Sequence, residues 1–402
     1  MKEKIITKNF CMAFLSVFCS AMVMYMLMGT ITEYATTMGT TATLAGLVSG
    51  IYIFGGLCSR LGSGIGLEKL GWKRLAVISM LVHFFACCCY FLVDNIMLLI
   101  LVRFIHGLGF GAASNATTTI GMSILPKSRY GEATGYFMLA PPLAIGAGPY
   151  IGGLVYDHFG VTGCFTGASI LSFLMLVFIL LVDTEAVDPR SKTNRALAAQ
   201  KQSAASAPKP SAKGLNKFLE VKAFPVSLFV MMCGFGYVSV ISFYRIYAAQ
   251  TGLTEVFSYF FLFYGALLIV TRFFAGRIQD KHGSRVLCIP GVIAQSVGLF
   301  LLAWNPCVLT VFLCGLGCAV GFGIMTSVGS AIVCSQAGPE RRAYAVTTFY
   351  LCCDGGMGIG PAILGAIATA SGYTAMYYAA ALFTLLGLPI YLFSQRKKPE
   401  RS

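Results

Sequence analysis

Charge is scarce in this chain: 11% of its 402 residues are Asp, Glu, Lys or Arg, while 57% are hydrophobic. A soluble domain of that composition would have too little polar surface to cover itself. The long apolar runs also lack the one-sided pattern of amphipathic helices, which argues against the buried core of a large soluble protein. No Cys-x-x-Cys spacing occurs among the 15 cysteines, so neither a zinc site nor a disulfide framework is indicated. Cys87-Cys88-Cys89 and Cys352-Cys353 lie inside apolar runs and read as small hydrophobes. A nucleotide-phosphate loop is missing too. Gly107-Leu-Gly109-Phe-Gly111 half-matches a dinucleotide fingerprint, but it lies within an apolar run with no strand before it. These absences argue against an ATP-driven pump or a dehydrogenase; no enzyme activity, cofactor or metal is expected.

What the chain does have is apolar runs of about 20 residues, enough to cross a ~30 Å hydrocarbon core as helix. The first covers 9–30, after Lys2, Lys4 and Lys8. It is long for a signal-peptide core and no convincing cleavage site follows, so it reads as a retained helix. Further runs cover 42–62, 75–93, 96–120, 133–156 and 161–182, then 223–248, 256–276, 286–304, 307–334, 344–370 and 376–393.

The formal charge of +14 could suggest nucleic-acid binding, but the placement of the 29 Lys and Arg gives it another meaning. Apart from Arg103, inside a run, and Arg245, near the end of one, they fall at the N-terminus, after every second apolar run, and at the C-terminus. The alternate loops hold almost only acids: Glu33, Asp94, Asp157 and Glu255. By the positive-inside rule, a multi-pass protein with both termini in the cytoplasm is expected, in a cell membrane. The tract 183–222 mixes Arg190, Lys192, Arg195, Lys201, Lys209, Lys213 and Lys217 with Ala, Ser and Pro. It reads as a cytoplasmic linker, because it has too little apolar surface to order itself. The expected organisation is a bundle over 1–182, this linker, and a second bundle over 223–402.

The halves repeat. Arg60 is followed by Gly64, Glu68, Lys69 and Gly71; Arg272, 212 residues later, is followed at the same intervals by Gly276, Asp280, Lys281 and Gly283. Tyr25 and Tyr237, Tyr52 and Tyr264, and Gly148-Pro149 and Gly360-Pro361 share that offset, and Pro126 and Pro339 miss it by one. The loop pattern resembles the signature between the second and third helices of the major facilitator superfamily, with Glu68 and Trp72 departing from it in the first copy. That resemblance implies an all-α membrane protein of 12 transmembrane helices in two pseudo-symmetric six-helix bundles. It also implies that Glu68 and Asp280 latch the halves at the inner side, near helix N-termini that carry positive partial charge.

Three spans hold candidate chemistry. Arg103-Phe-Ile-His106-Gly107-Leu-Gly109 resembles the superfamily's fourth-helix motif, with His106 where Gln is usual. At ~100° per residue, Arg103, His106, Gly107, Phe110, Ser114 and Thr117 share a face. An Arg inside lipid is costly, so this face should line a cavity or meet an acid. In the fifth span, Gly135, Gly148, Pro149, Gly152 and Gly153 resemble the superfamily's antiporter motif, with Ala144 in place of one glycine; this implies proton-coupled efflux. In the eleventh, Asp354 lies ~18 Å along the helix from Arg342, near mid-membrane, and a carboxylate there could carry a proton. Coupling is therefore assigned to Asp354, Arg103 and His106. Tyr25, Tyr237, Tyr244, Tyr264 and Ser114 are expected to line the cavity, and Glu33 with Arg245 to close the outer mouth.

The resulting expectation is a monomeric secondary transporter, of bacterial type, that exports a small organic molecule (drug or metabolite) by proton antiport. Its partners are the solute, protons and the lipid bilayer, without nucleic acid. Alternatives are a proton symporter importing a sugar or organic acid, a lipid flippase, or a receptor on the same scaffold; the last usually needs an extra folded domain, for which 183–222 is too short and polar.

Overall fold

A computed structural model describes residues 4–185, 188, 220–337 and 341–395; the tract expected as a linker lies almost wholly outside the described residues. All regular structure among them is helical. The principal helices are α1 (Lys8–Thr37), α2 (Ala42–Leu70), α3 (Trp72–Cys89), α4 (Ile96–Ser123), α5 (Tyr130–Phe137) and α6 (Ala140–Leu181), then α7 (Phe224–Thr251), α8 (Thr254–His282), α9 (Arg285–Trp304), α10 (Val308–Cys318), α11 (Ile324–Gln336) and α12 (Arg342–Ser394). Ten stretches among the described residues are long and apolar enough to cross a membrane. In lipid an unpaired backbone amide has no water to turn to, which is why every crossing is helical.

Two stretches, Glu132–Leu181 and Tyr344–Ser394, have 50 and 51 residues. At ~1.5 Å per residue each is long enough to cross twice. Each also contains one residue with non-helical dihedrals: Gly160 in α6 (φ 64°, ψ −166°) and Gly372 in α12 (φ 85°, ψ 167°). That combination is open almost only to glycine, so each long helix is two helices meeting at a kink.

The six positive-φ glycines of the described residues fall into three pairs at the sequence repeat: Gly39 with Gly252, Gly71 with Gly283, and Gly160 with Gly372. The two halves therefore bend at equivalent places. A Cβ added at Gly372 would meet nothing within 4 Å, so Gly372→Ala tests backbone strain alone. It should destabilise the protein by about 1–3 kcal/mol, read as a lower melting temperature in detergent. Gly135→Ala, also in open space but at an ordinary helical φ, should show no loss.

The chain packs as two units: Met1–Leu27 with Ile51–Pro210, and Met28–Gly50 with Ser211–Ser402. The boundary thus runs through α1 and α2, and residues 28–50 pack with the second unit rather than with the rest of the first half. In the first unit α3 lies on α4 and α6. Its N-terminal amides are covered by Asp188, whose Oδ2 accepts from Trp72 N and Lys73 N at 2.9 and 3.2 Å. Lys73 Nζ in turn donates to the Leu180 and Val182 carbonyls, groups that a helix C-terminus leaves unpaired.

In the second unit α7 runs along α12 and α9 along α10. Between α10 and α11 the helix widens into a π turn, Ala319–Gly323, which leaves a backbone amide without its usual partner. Gln295 fills the gap: its Oε1 accepts from Phe322 N at 3.0 Å and its Nε2 donates to the Cys233 carbonyl at 2.9 Å. Glu220, just before α7, pairs with Arg341 Nε and accepts from Lys222 N. Burial pushes the Glu220 carboxyl up, but the hydrogen bonds from Arg341 and the Lys222 amide, with both charges, hold it below the usual 4.5. A depressed carboxyl stabilises the fold above its unfolded pKa and ceases to do so as pH falls through the folded one. Glu220→Gln should therefore cost about 1 kcal/mol at pH 7. The gap in melting temperature from wild type should close below about pH 4.

Candidate functional site

In the first unit, α4 comes close enough to α2 for backbone to meet backbone. A Cβ at Gly107 would collide with the Tyr52 carbonyl, and one at Gly111 with that of Gly56. On its other side Gly109 lets α3 approach: a Cβ there would be 2.6 Å from His83 N. Glycines at these contacts bring a polar cluster together inside apolar helices.

Arg103 is fully buried and does not reach up to either surface. Its guanidinium carbon is 4.4 Å from the centre of the Tyr52 ring, and Nη1 donates to the Tyr90 hydroxyl at 3.5 Å. That hydroxyl is 2.8 Å from His106 Nδ1, while His106 Nε2 is 3.0 Å from His83 Nε2 and 3.3 Å from Cys87 Sγ. Ser172 Oγ closes the network, 2.9 Å from His83 Nδ1 and 3.2 Å from Cys87 Sγ. Most of these buried polar groups are paired with one another, which is what makes their burial tolerable. Of this cluster the sequence pointed to Arg103 and His106. His83, Cys87, Tyr90 and Ser172 were missed, although His83 and Cys87 stand four residues apart on one helix face. Ser114, one face-repeat further along α4, is half-buried.

In the second unit, Tyr237 stacks between Tyr264, at 5.4 Å, and Phe322 of the π turn, at 4.8 Å; Tyr244 meets Phe261 edge-on. All three tyrosines are buried. Tyr25 is half-buried in the first unit, where α6 comes against α1: a Cβ at Gly148 would lie 2.7 Å from that of Tyr25, and one at Gly152 2.5 Å from the Met26 carbonyl. Pro149 and Gly153 are buried beside this contact. Gly360 has the matching role in the second unit, against Val238. Asp354 is half-buried in α12 and is followed by Gly355, where a Cβ would meet open space.

At the α1–α2 turn, the second unit holds a set of contacts that bind residues 28–50 to α7 and α12. Arg245 Nε donates to Glu33 Oε2 in an ion pair. Ser49 and Ser242 are hydrogen-bonded at 3.0 Å, as are Thr43 and Thr369. A Cβ at Gly46 would strike the Pro361 carbonyl, one at Gly50 that of Gly358, and one at Gly29 the Tyr244 ring. The opposite ends of α2 and α8 carry the signature loops. Gly71 and Gly283 take positive φ there (89° and 79°), and Lys281 is exposed. The side chains of Glu68, Lys69 and Asp280 lie outside the described residues, as do Gly64 and Gly276 beyond their helical backbone.

Comparison with known proteins gives the class. The family model described as Major Facilitator Superfamily matches residues 13–320 and 249–402, and the chain belongs to that superfamily. It is 23% identical over 369 residues to the uncharacterized MFS-type transporter MJ1560 of Methanocaldococcus jannaschii, covering 90% of this chain and 92% of that one. It is 28% identical over 335 residues to the multi-drug resistance efflux pump PmrA of Streptococcus pneumoniae, covering 79% and 78%. Among solved structures, the nucleoside transporter NupG superposes with a TM-score of 0.77 at 14% identity, covering 98% of this chain and all of that one. A bacterial homologue of the human lysosomal transporter Spinster gives 0.72 at 13% identity, with 98% of each chain covered. The protein is thus an all-α, multi-pass transporter of small molecules.

Proposed function

We propose that this transporter exports a small organic solute in exchange for protons, by alternating access of two six-helix bundles with twelve spans and both chain ends in the cytoplasm. The observation that carries the reading is Asp354, a carboxylate half-buried well inside α12, where it can exchange a proton as access alternates. Direction is supported by the similarity to an efflux pump and by the glycine-proline motif of α6. Arg103 and His106 tune coupling from the first bundle, and the tyrosines supply flat apolar faces with a polar rim for the solute. The Glu33–Arg245 pair and the small-residue contacts around it form the outer gate, which must part and re-form in each cycle. The signature loops would serve the inner one.

Proton-gradient-driven flux into everted vesicles, with a panel of cationic dyes and drugs, tests this. Wild type should accumulate dye when the lumen is acidic and release protons as it does so. Asp354→Asn should cut the gradient-driven part to about a tenth or less yet retain gradient-independent exchange. Equal accumulation by the variant at every pH removes Asp354 from the mechanism. Protons moving in the same direction as solute would mean symport.

A further inference from the structure

His83, Cys87 and His106 bring three donor atoms within 4.8 Å of one another, and all three residues are fully buried. Both imidazoles turn Nε2 inward, towards each other and Cys87 Sγ. Both have the outer nitrogen occupied: His83 Nδ1 by Ser172 and His106 Nδ1 by Tyr90. That is how metal-binding histidines are held, since the hydrogen bond at one nitrogen fixes the ring and leaves the other free to ligate. Ser172 also braces the third donor, Cys87.

We propose that these residues bind one Cu(I) ion, which pins α3 to α4 inside the first bundle. Two imidazoles and one sulfur suit a soft, three-coordinate ion. Charge narrows the choice further. Cu(I) on a thiolate is neutral, whereas Zn(II) on the same ligands leaves a net positive charge beside Arg103 in a dry setting, which is costly. For bonds of about 2.0 Å to nitrogen and 2.3 Å to sulfur, a trigonal ion needs the pairs now at 3.0 and 3.3 Å to open by roughly half an ångström, and His83 Nε2 to stand about 3.7 Å from Cys87 Sγ, inside the 4.8 Å that encloses all three donors. Small side-chain rotations supply that much. On binding, an S–Cu bond replaces the S–H bond and one proton leaves. The proton shared between the two Nε2 atoms passes to an Nδ1, where a hydroxyl oxygen accepts it. No electron is transferred. With every ligand buried, the ion is a resident of the fold and not its cargo.

The test uses full-length protein in detergent, titrated anaerobically with Cu(I) against a coloured chelator, with copper K-edge absorption as a second readout. The expected result is one tightly held copper whose spectrum fits one sulfur and two nitrogens, and a higher melting temperature than the stripped protein. Cys87→Ser and His106→Ala should weaken binding at least a hundredfold, and Ser172→Ala by about 10–100-fold. Cys314→Ser, at a buried cysteine in the other unit, should leave it unchanged. Sulfur-only coordination, no retained copper, wild-type binding by Cys87→Ser, or zinc held in preference to copper would each overturn the proposal. The wild-type spectrum decides even if a ligand variant fails to fold.

Discussion

Gly50→Val is expected to reduce transport by about two orders of magnitude while the protein still folds and inserts. One contact of the second unit is the cause. At Gly50, α2 rests on the Gly358 carbonyl of α12 so closely that even a Cβ would overlap it, and one turn earlier Gly46 rests on Pro361 in the same way. A flexible side chain could move aside; a helix backbone cannot. Overpacking of this kind costs about 1–3 kcal/mol or more, and a branched side chain against backbone is the worst case. Under the alternating access proposed above, the cost falls only on the state in which the α1–α2 turn is drawn against α7 and α12. A penalty of ~3 kcal/mol on that state shifts the two-state balance about a hundredfold towards the other. Gly62→Val is the control: it lies on the same helix, exposed and facing open space, and should transport normally. Uptake into proteoliposomes, normalised to inserted protein, measures both. Gly50→Val within twofold of wild type would mean that the close contact is not an obligatory stage of the cycle.

The parts of this architecture that were legible in the sequence are those that a short local pattern encodes. Apolar runs bounded by charge give the crossings. Gly71 and Gly283 close their signature loops in dihedrals that other residues avoid. Glu33 and Arg245, equivalent in the repeat and opposite in charge, form an ion pair. What was illegible depends on which helix lies beside which. Hydropathy does not say that α1 and α2 each divide their packing between two units, because lipid and a neighbouring helix look equally apolar. The capping of α3 by Asp188 joins residues more than a hundred positions apart. The π turn is visible only once Gln295 is seen filling it. The His83–Cys87–His106 cluster escaped a search for Cys-x-x-Cys because its donors stand one turn apart on α3 and come together with α4 only through Gly109. Asp354 shows the limit from the other side: its place along α12 follows from counting residues, but what faces it does not.

Arg103 yields the second large effect, and it separates a functional from a purely structural buried charge. Its guanidinium lies over Tyr52 and donates to Tyr90, with no exposure to either surface. Desolvated cation–π contacts of this kind are worth about 2 kcal/mol or more, and hydrogen bonds to a charged group about 1.5–3. Against these gains stands the cost of holding a cation in a dry interior. A well-packed apolar replacement of similar volume can therefore be neutral for stability or even favourable. Arg103→Leu is accordingly expected to melt near the wild-type temperature, yet to lose roughly 30–100-fold in gradient-driven transport, the equivalent of 2–3 kcal/mol. Arg103→Lys keeps the charge but lacks the planar fork that stacks on Tyr52, so its transport should fall between the two. If transport instead tracks melting temperature across the three proteins, Arg103 only holds the bundle together. If Leu is stable and inactive while Lys is partly active, then a positive charge at this position takes part in transport. The double variant Arg103→Leu, Asp354→Asn then decides whether they act as one device. Coupled residues lose less together than the sum of their separate losses, and independent ones lose the full sum.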